Sequence, residues 1–169
     1  NTLSYHFIPE FRINKKNNHP VLNPHSKRYR SLITSFLKLI YYILKYNFYF
    51  HIYYHLFFRD KDVILFDRYF YDIAVDNLRY RMKLSSNFIK SFFRFIPNPN
   101  LIIFINTNTL NSRKRSKDNI QVNLIPKLNF AYANLKNFCD NFFEVNGNQS
   151  FKEVYSDVNK IIMNSKFLS

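Results

Sequence analysis

Glycine is almost absent from this chain, since the 169 residues contain only one, Gly147. A loop that cradles phosphate with backbone amides needs closely spaced glycines followed by lysine and Ser or Thr. Gly147 is followed by Asn148 and Gln149, so it cannot form such a loop, and we expect it to lie in a turn. These residues therefore contain no glycine-rich phosphate loop.

Cysteine is equally scarce, because Cys139 is the only one. It cannot form an internal disulfide, which favours a reducing, cytoplasmic setting. His51 and His55 are spaced like two metal ligands on a helix, but no glutamate or third ligand accompanies them. We expect these histidines to serve packing or hydrogen bonding rather than zinc.

Acidic residues are few, with 11 against 25 Lys and Arg, which gives a net charge of +14. This balance favours anionic partners, such as the phosphates of a nucleotide, of nucleic acid or of a membrane surface. Lys27, Arg28 and Arg30 belong to a proline-containing basic segment, residues 14–30, that we expect to be irregular. Two interpretations of this segment remain open, a solvated basic loop and a phosphate contact.

Apolar patterning predicts alternating strands and helices in a single domain, residues 1–169. Short apolar runs typical of buried parallel strands occupy 62–66, 101–105 and 142–145. A long helix is predicted over 31–58 with Ser31 as N-cap, helical character over 69–80 and 88–95, and two amphipathic helices around 128–138 and 151–162. This order indicates an α/β architecture with a parallel sheet.

The predicted helix over 31–58 is the one segment long enough to suggest a membrane span. Lys38, Lys45, Asn47, His51 and His55 interrupt its apolar runs, which makes a span energetically costly. Peripheral contact through its aromatic face is the alternative that remains.

Polar residues at the ends of two predicted strands mark the expected site. Asp67 and Arg68 follow the first strand and Asn106 follows the second, where α/β sheets bind their ligands. A charged pair directly after a buried strand serves no core, so a functional role is favoured. The structural alternative is that Asp67 caps the next helix and Arg68 pairs with a surface acid.

Several short motifs resemble the thymidylate kinase-like family of P-loop kinases. Asp67, Arg68 and Tyr69 correspond to the family's Asp-Arg-Tyr after a parallel strand. Residues 76–81 resemble its Asp-Pro-Arg-Arg-Tyr-Arg, with departures at Asn77 and Leu78. The further matches are His6, Pro9, Asn23, Pro24, His25, Pro99, Asn100 and Leu101.

The resemblance implies a P-loop kinase-like parallel sheet flanked by helices, with the first strand and the phosphate loop missing from this chain. It implies ATP-dependent phosphoryl transfer to a nucleoside monophosphate or similar acceptor, with ATP and Mg²⁺ as cofactors that both require the missing loop. Arg68 would hold the acceptor phosphate, because its planar charged fork suits phosphate oxygens. Asp67 would organise Mg²⁺, its water or the acceptor.

The family also has an acid at the end of the second strand and a phosphate-binding arginine in a mobile lid. Here the acid is replaced by Asn106, and the candidate lid is 107–119, with Arg115 as the implied catalytic arginine and Arg113 as the alternative. Tyr69, Arg79 and Arg81 are the remaining acceptor-side residues that the resemblance implies.

The chain starts at Asn1, within family-like sequence, so we expect an N-terminally incomplete domain that is inactive by itself. Two functions of other classes compete with the kinase: a basic, aromatic nucleic-acid-binding module, and a membrane-associated module. Against the first, no recognised nucleic-acid motif is present, so no specific nucleic acid is expected. A homodimer is left open.

Overall fold

The computed structural model describes residues 2–5, 25, 27–52, 63–115 and 123–165, and for 2–5 and 113–115 it describes the backbone only. The chain divides into two compact units, one of Asn1–Val21 with His25–Pro97 and one of Leu22–Pro24 with Asn98–Ser169. Each unit contains a pair of parallel strands and several helices. The predicted α/β class with parallel pairing is therefore confirmed, while a single domain over 1–169 stays a prediction.

The strand pair of the first unit joins β1, Thr2–Tyr5, to β2, Val63–Phe66. The two strands run parallel in the register Thr2 to Val63 through Tyr5 to Phe66. β2 is the strand that its Val-Ile-Leu-Phe run predicts. The sequence analysis missed β1, because four residues of mixed polarity give no strand pattern.

Helix α1, Leu32–Phe48, begins where its sequence predicts. The Ser31 hydroxyl accepts a hydrogen bond from the backbone N–H of Thr34 at 3.2 Å, which is the N-cap arrangement. The α-helix is shorter than predicted, because residues 49–52 form a π-helical turn after Phe48. The rest of the predicted helix, 53–58, lies outside the described residues.

Between β2 and the end of the first unit, the chain forms short helical pieces instead of long helices. These are α2, Asp72–Val75, α3, Ser86–Lys90, and a 3-10 turn, Phe93–Phe95. Apolar side chains of this region and of α1 form the core of the unit. The side chains that are 0% exposed are Leu39, Phe70, Ile73, Met82 and Ile89. The helical character predicted over 69–80 and 88–95 is confirmed only in these short pieces.

The second unit pairs β3, Ile102–Asn106, with β4, Phe142–Asn146, again in parallel. Its helices are α4, Thr109–Arg115, α5, Leu124–Ala133, and α6, Phe151–Asn164, with a 3-10 turn at Asn134–Asn137. The Phe104 ring of β3 stacks on Tyr132 of α5 at 5.4 Å. Both predicted strands and the final helix are confirmed, and the helix predicted around 128–138 starts earlier, at Leu124.

Gly147 lies in the turn after β4, as predicted, and close packing explains why glycine is needed there. Its backbone N–H donates to the Asn106 carbonyl at 2.7 Å. A Cβ at this position would lie 2.3 Å from Thr107 Cγ2, which real Cβ atoms do not tolerate. The lack of a side chain at Gly147 thus allows the turn after β4 to approach the end of β3 closely.

Candidate functional site

Asp67 and Arg68 lie directly after β2, as the sequence predicts. Asp67 is exposed, and 29% of the Arg68 side chain is exposed. Arg68 Nη1 donates to Asp72 Oδ2 at 3.3 Å, and the Asp72 side chain is only 9% exposed. Arg68 therefore neutralises a buried carboxylate of α2, and part of its side chain stays exposed.

This geometry corrects the structural alternative for the pair. The residue in the N-cap position of α2 is Tyr71, and no side chain caps that helix, so the expectation that Asp67 caps it is wrong. Arg68 does pair with an acid, but that acid is buried rather than on the surface. The Asp72 carboxylate therefore restricts the direction in which the Arg68 guanidinium points.

Tyr69 is held among aromatic side chains. Its hydroxyl donates to the carbonyl of Pro97, and its ring meets those of Tyr46 and Phe66 edge-on. Burial, followed by the neighbouring Tyr71, raises the pKa of the Tyr69 phenol, so the group stays protonated. Tyr69 thus anchors the loop after β2, and its predicted contact with an acceptor stays a prediction.

Asp76 is the second buried carboxylate of this region, and it has two partners. His25 Nε2 lies 3.0 and 2.8 Å from its two carboxylate oxygens, and the backbone N–H of Arg79 donates to Oδ1 at 3.2 Å. The side chains of His25 and Asp76 are 5% and 7% exposed. The other ring nitrogen of His25, Nδ1, is buried and has no hydrogen-bond partner among the described residues.

The sequence analysis did not predict the pair of His25 and Asp76. The signal was present, because His25 closes the Asn-Pro-His match and Asp76 opens the match over 76–81. The two motifs are 51 residues apart, so no local pattern connects them. The fold brings His25 into direct contact with Asp76, the first residue of the 76–81 motif.

Arg81, predicted on the acceptor side, lies in a turn with a left-handed backbone, φ 57°. Its Nε donates to the Arg28 carbonyl at 3.1 Å, and its own carbonyl accepts from the backbone N–H of Arg30 at 3.0 Å. Such a conformation costs about 1–2 kcal/mol in a residue other than glycine and is held by its surroundings. The turn is therefore fastened to the basic segment before α1.

In the second unit, Asn106 ends β3 where the family has an acid. Its Nδ2 donates to Glu144 Oε1 of β4 at 2.7 Å. The negative charge at this strand end therefore comes from the neighbouring strand. In the candidate lid, 107–119, only residues 109–115 form α4. Residues 116–119 and the side chains of Arg113 and Arg115 lie outside the described part of the chain, so the roles of these arginines stay predictions.

The residues present fit the cofactors implied by the resemblance only in part. An exposed carboxylate such as Asp67 suits Mg²⁺, which takes one or two carboxylates together with substrate phosphates. Among the described residues, no group of three His, Cys, Asp or Glu could hold a metal ion by itself. These 169 residues contain no glycine-rich phosphate loop, so ATP and Mg²⁺ stay predictions that depend on such a loop.

Comparison with known proteins gives no match, either to a family model or to a curated protein. The resemblance to thymidylate kinase-like proteins thus rests on the sequence motifs alone and stays a prediction. Within the part of the chain that the structure describes, no helix is long and apolar enough to cross a membrane.

Proposed function

We propose that this chain holds the phosphorylated acceptor of an ATP-dependent, thymidylate kinase-like phosphotransfer, the acceptor being a nucleoside monophosphate or a similar compound. The observation that supports this most is the placement of Arg68, at the carboxyl end of a parallel strand and ion-paired to buried Asp72. Ligands of α/β proteins bind at such strand ends. The P-loop kinase fold is part of the same proposal.

In this proposal Arg68 binds the acceptor phosphate and fixes its direction. The guanidinium is always charged and binds phosphate oxygens in pairs, and the Asp72 carboxylate restricts its rotation. Phosphoryl transfer depends mainly on positioning and charge neutralisation, which such an arginine supplies. The donor side needs a phosphate loop that these residues lack, so the role proposed for this chain is to bind and orient the acceptor.

Titration calorimetry with nucleoside monophosphates tests the proposal. We expect Arg68→Gln to weaken binding at least about tenfold, the typical scale for a charge-assisted hydrogen bond. Arg68→Lys keeps the positive charge but loses the guanidinium fork. Its affinity for the monophosphate should therefore lie between those of the unaltered chain and of Arg68→Gln. Arg94→Gln is the control, because Arg94 is an exposed arginine of the same unit whose guanidinium carbon lies 4.8 Å from the Phe95 ring centroid.

A double variant separates phosphate binding from the support of Asp72. Arg68→Gln alone leaves a buried carboxylate without this partner and should lower stability. Adding Asp72→Asn removes that charge and should restore stability without restoring binding. The proposal fails if the double variant binds the monophosphate as tightly as the unaltered chain.

A further inference from the structure

A second cluster of charge lines an open pocket of about 600 Å³ in the first unit. Of the eight described residues that line it, none is acidic and four are cations: Lys27, Arg28, Arg30 and Lys83. All four are exposed. The pocket lies between the segment 25–31 and the turn 78–83, and its residues do not include Asp67 or Arg68.

Two more cations, Lys38 and Arg81, lie close to the residues that line the pocket. Lys38 Nζ donates to the Tyr80 carbonyl at 2.7 Å, and Arg81 Nε donates to the Arg28 carbonyl at 3.1 Å. The pKa of the Lys38 ammonium is lowered by burial, by Arg30 and by Arg81. Positive charges are thus close enough to repel one another, and an anion in the pocket would relieve that repulsion.

The carboxylate nearest in sequence to this turn is already engaged, since Asp76 is paired with His25. His25 also lines the pocket, and its side chain is 5% exposed, with a buried Nδ1 that has no partner among the described residues. The amino end of α1, at Ser31, adds the positive end of a helix dipole to the lining.

Backbone hydrogen bonds fasten the walls of the pocket to each other. The backbone N–H of Arg30 donates to the Arg81 carbonyl at 3.0 Å, and that of Lys83 donates to the Ser35 hydroxyl at 2.9 Å. Arg30 and Lys83 thus make these two contacts with their backbone N–H groups and not with their charged side chains. These hydrogen bonds hold the turn next to the segment before α1, so that several cations surround one pocket. Arg81 in this turn has a left-handed backbone conformation, which costs energy.

We propose that this pocket binds a small molecule that carries a phosphate or diphosphate group. Two arginines and two lysines match the charge of such a group, and guanidinium forks match its oxygens. The volume lies in the range of small-molecule sites, and the ring of Tyr29, 46% exposed, offers a face for an attached planar group. This site stands apart from the proposed phosphotransfer and does not depend on it.

Titration calorimetry with pyrophosphate, on the chain as it exists, tests the proposal. We expect saturable binding of one pyrophosphate per chain, weakened at least about tenfold in the double variant Arg30→Gln/Lys83→Gln. The matched control is Lys136→Gln/Lys152→Gln, which removes the same charge from exposed positions of the second unit. Arg94→Gln should leave pyrophosphate binding unchanged, because Arg94 is an exposed arginine of the same unit that does not line the pocket.

A second measurement needs no variant. Lys27 and Lys83 should react more slowly with an amine-acylating reagent when pyrophosphate is present, while Lys136 and Lys152 keep their rates, as peptide mass spectrometry would show. The proposal is overturned if all four lysines keep their rates or if the control variant loses pyrophosphate binding equally. It is also overturned if a single-stranded oligonucleotide binds the pocket and pyrophosphate does not, because the site would then serve nucleic acid.

Discussion

Asp76 connects three parts of the first unit through one carboxylate. It accepts hydrogen bonds from the His25 ring and from the backbone of Arg79, and it is 7% exposed. A buried carboxylate needs such partners, because without them its desolvation is not compensated. The pair of His25 and Asp76 therefore fixes the segment before α1 against the turn that carries Arg79 and Arg81.

His25→Ala should lower the free energy of unfolding by about 1–3 kcal/mol, because it leaves the Asp76 carboxylate buried with fewer hydrogen bonds. Urea denaturation followed by circular dichroism measures the change. His51→Ala is the control, since His51 is exposed in the π-helical turn after α1. Equal urea midpoints for the two variants would show that the pair contributes nothing to stability.

Helix α1 illustrates how an element presents two different apolar faces. Ser35, Leu39 and Tyr46 are buried, whereas Ile33, Leu37 and Leu44 are 74%, 61% and 64% exposed. The buried face meets the aromatic loop after β2, where the Tyr46 and Phe70 rings lie 5.6 Å apart, edge to face. Peripheral membrane contact through this helix stays a prediction.

Leu39→Ala should cost about 2–5 kcal/mol of stability, because it opens a cavity at a position that is 0% exposed. Leu44→Ala, the same substitution on the exposed face, should change stability by no more than about 0.5 kcal/mol. Chemical denaturation of both variants provides the comparison. If the two losses are similar, α1 does not bury the face described here.

Helix α6 carries a local pH dependence at its capping box. Ser150 accepts from the backbone of Glu153, and the Glu153 carboxylate accepts from the Ser150 backbone and hydroxyl, both at 2.8 Å. These hydrogen bonds lower the pKa of Glu153 below its ordinary value of 4.5. The stabilisation is therefore fully present above pH 4.5 and is lost as the pH falls through the lower folded-state value.

Glu153→Gln should abolish this contribution to the acid-dependent loss of α6 helicity, because an amide does not titrate. Far-UV circular dichroism of both proteins, recorded as the pH is lowered from neutral, compares their acid transitions. The expected result is a shallower transition in the variant. Identical acid transitions would mean that the capping box does not contribute to the pH dependence.

Net charge acts on the whole molecule. At +14, the cations repel one another, and beside the pocket of the first unit Arg30 and Arg81 are close enough to Lys38 to help lower the pKa of its ammonium. Sodium chloride screens such repulsion over about 8–10 Å at ordinary ionic strength. A binding site that concentrates positive charge therefore lowers the stability of the chain without its ligand.

Arg30→Gln/Lys83→Gln should raise the Tm by about 1–2 °C at low salt, the shift expected from about 0.5 kcal/mol of relieved repulsion. The gain should shrink as sodium chloride is added. Lys136→Gln/Lys152→Gln removes the same number of charges outside the pocket and should shift the Tm less. Equal shifts for the two double variants would attribute the repulsion to total charge and not to the cluster.

The sequence by itself determined the features that depend on neighbouring residues. The apolar runs predicted β2, β3 and β4, Ser31 predicted the start of α1, and the apolar spacing predicted α6. These predictions succeed because local propensity and capping act within a few residues. The carboxyl end of β2 followed from the same reasoning, and with it the placement of Asp67 and Arg68.

Only the tertiary structure decided the features that depend on distant partners. Strand β1 exists because it pairs with β2, some 60 residues later in the chain. The contacts of His25 with Asp76, of Arg28 with Arg81 and of Ser35 with Lys83 join residues 48 to 53 positions apart. The periodicity of the sequence cannot reveal such contacts, because they form only when distant segments fold together. They bring the turn with Lys83 next to the basic segment before α1, and this creates the basic pocket.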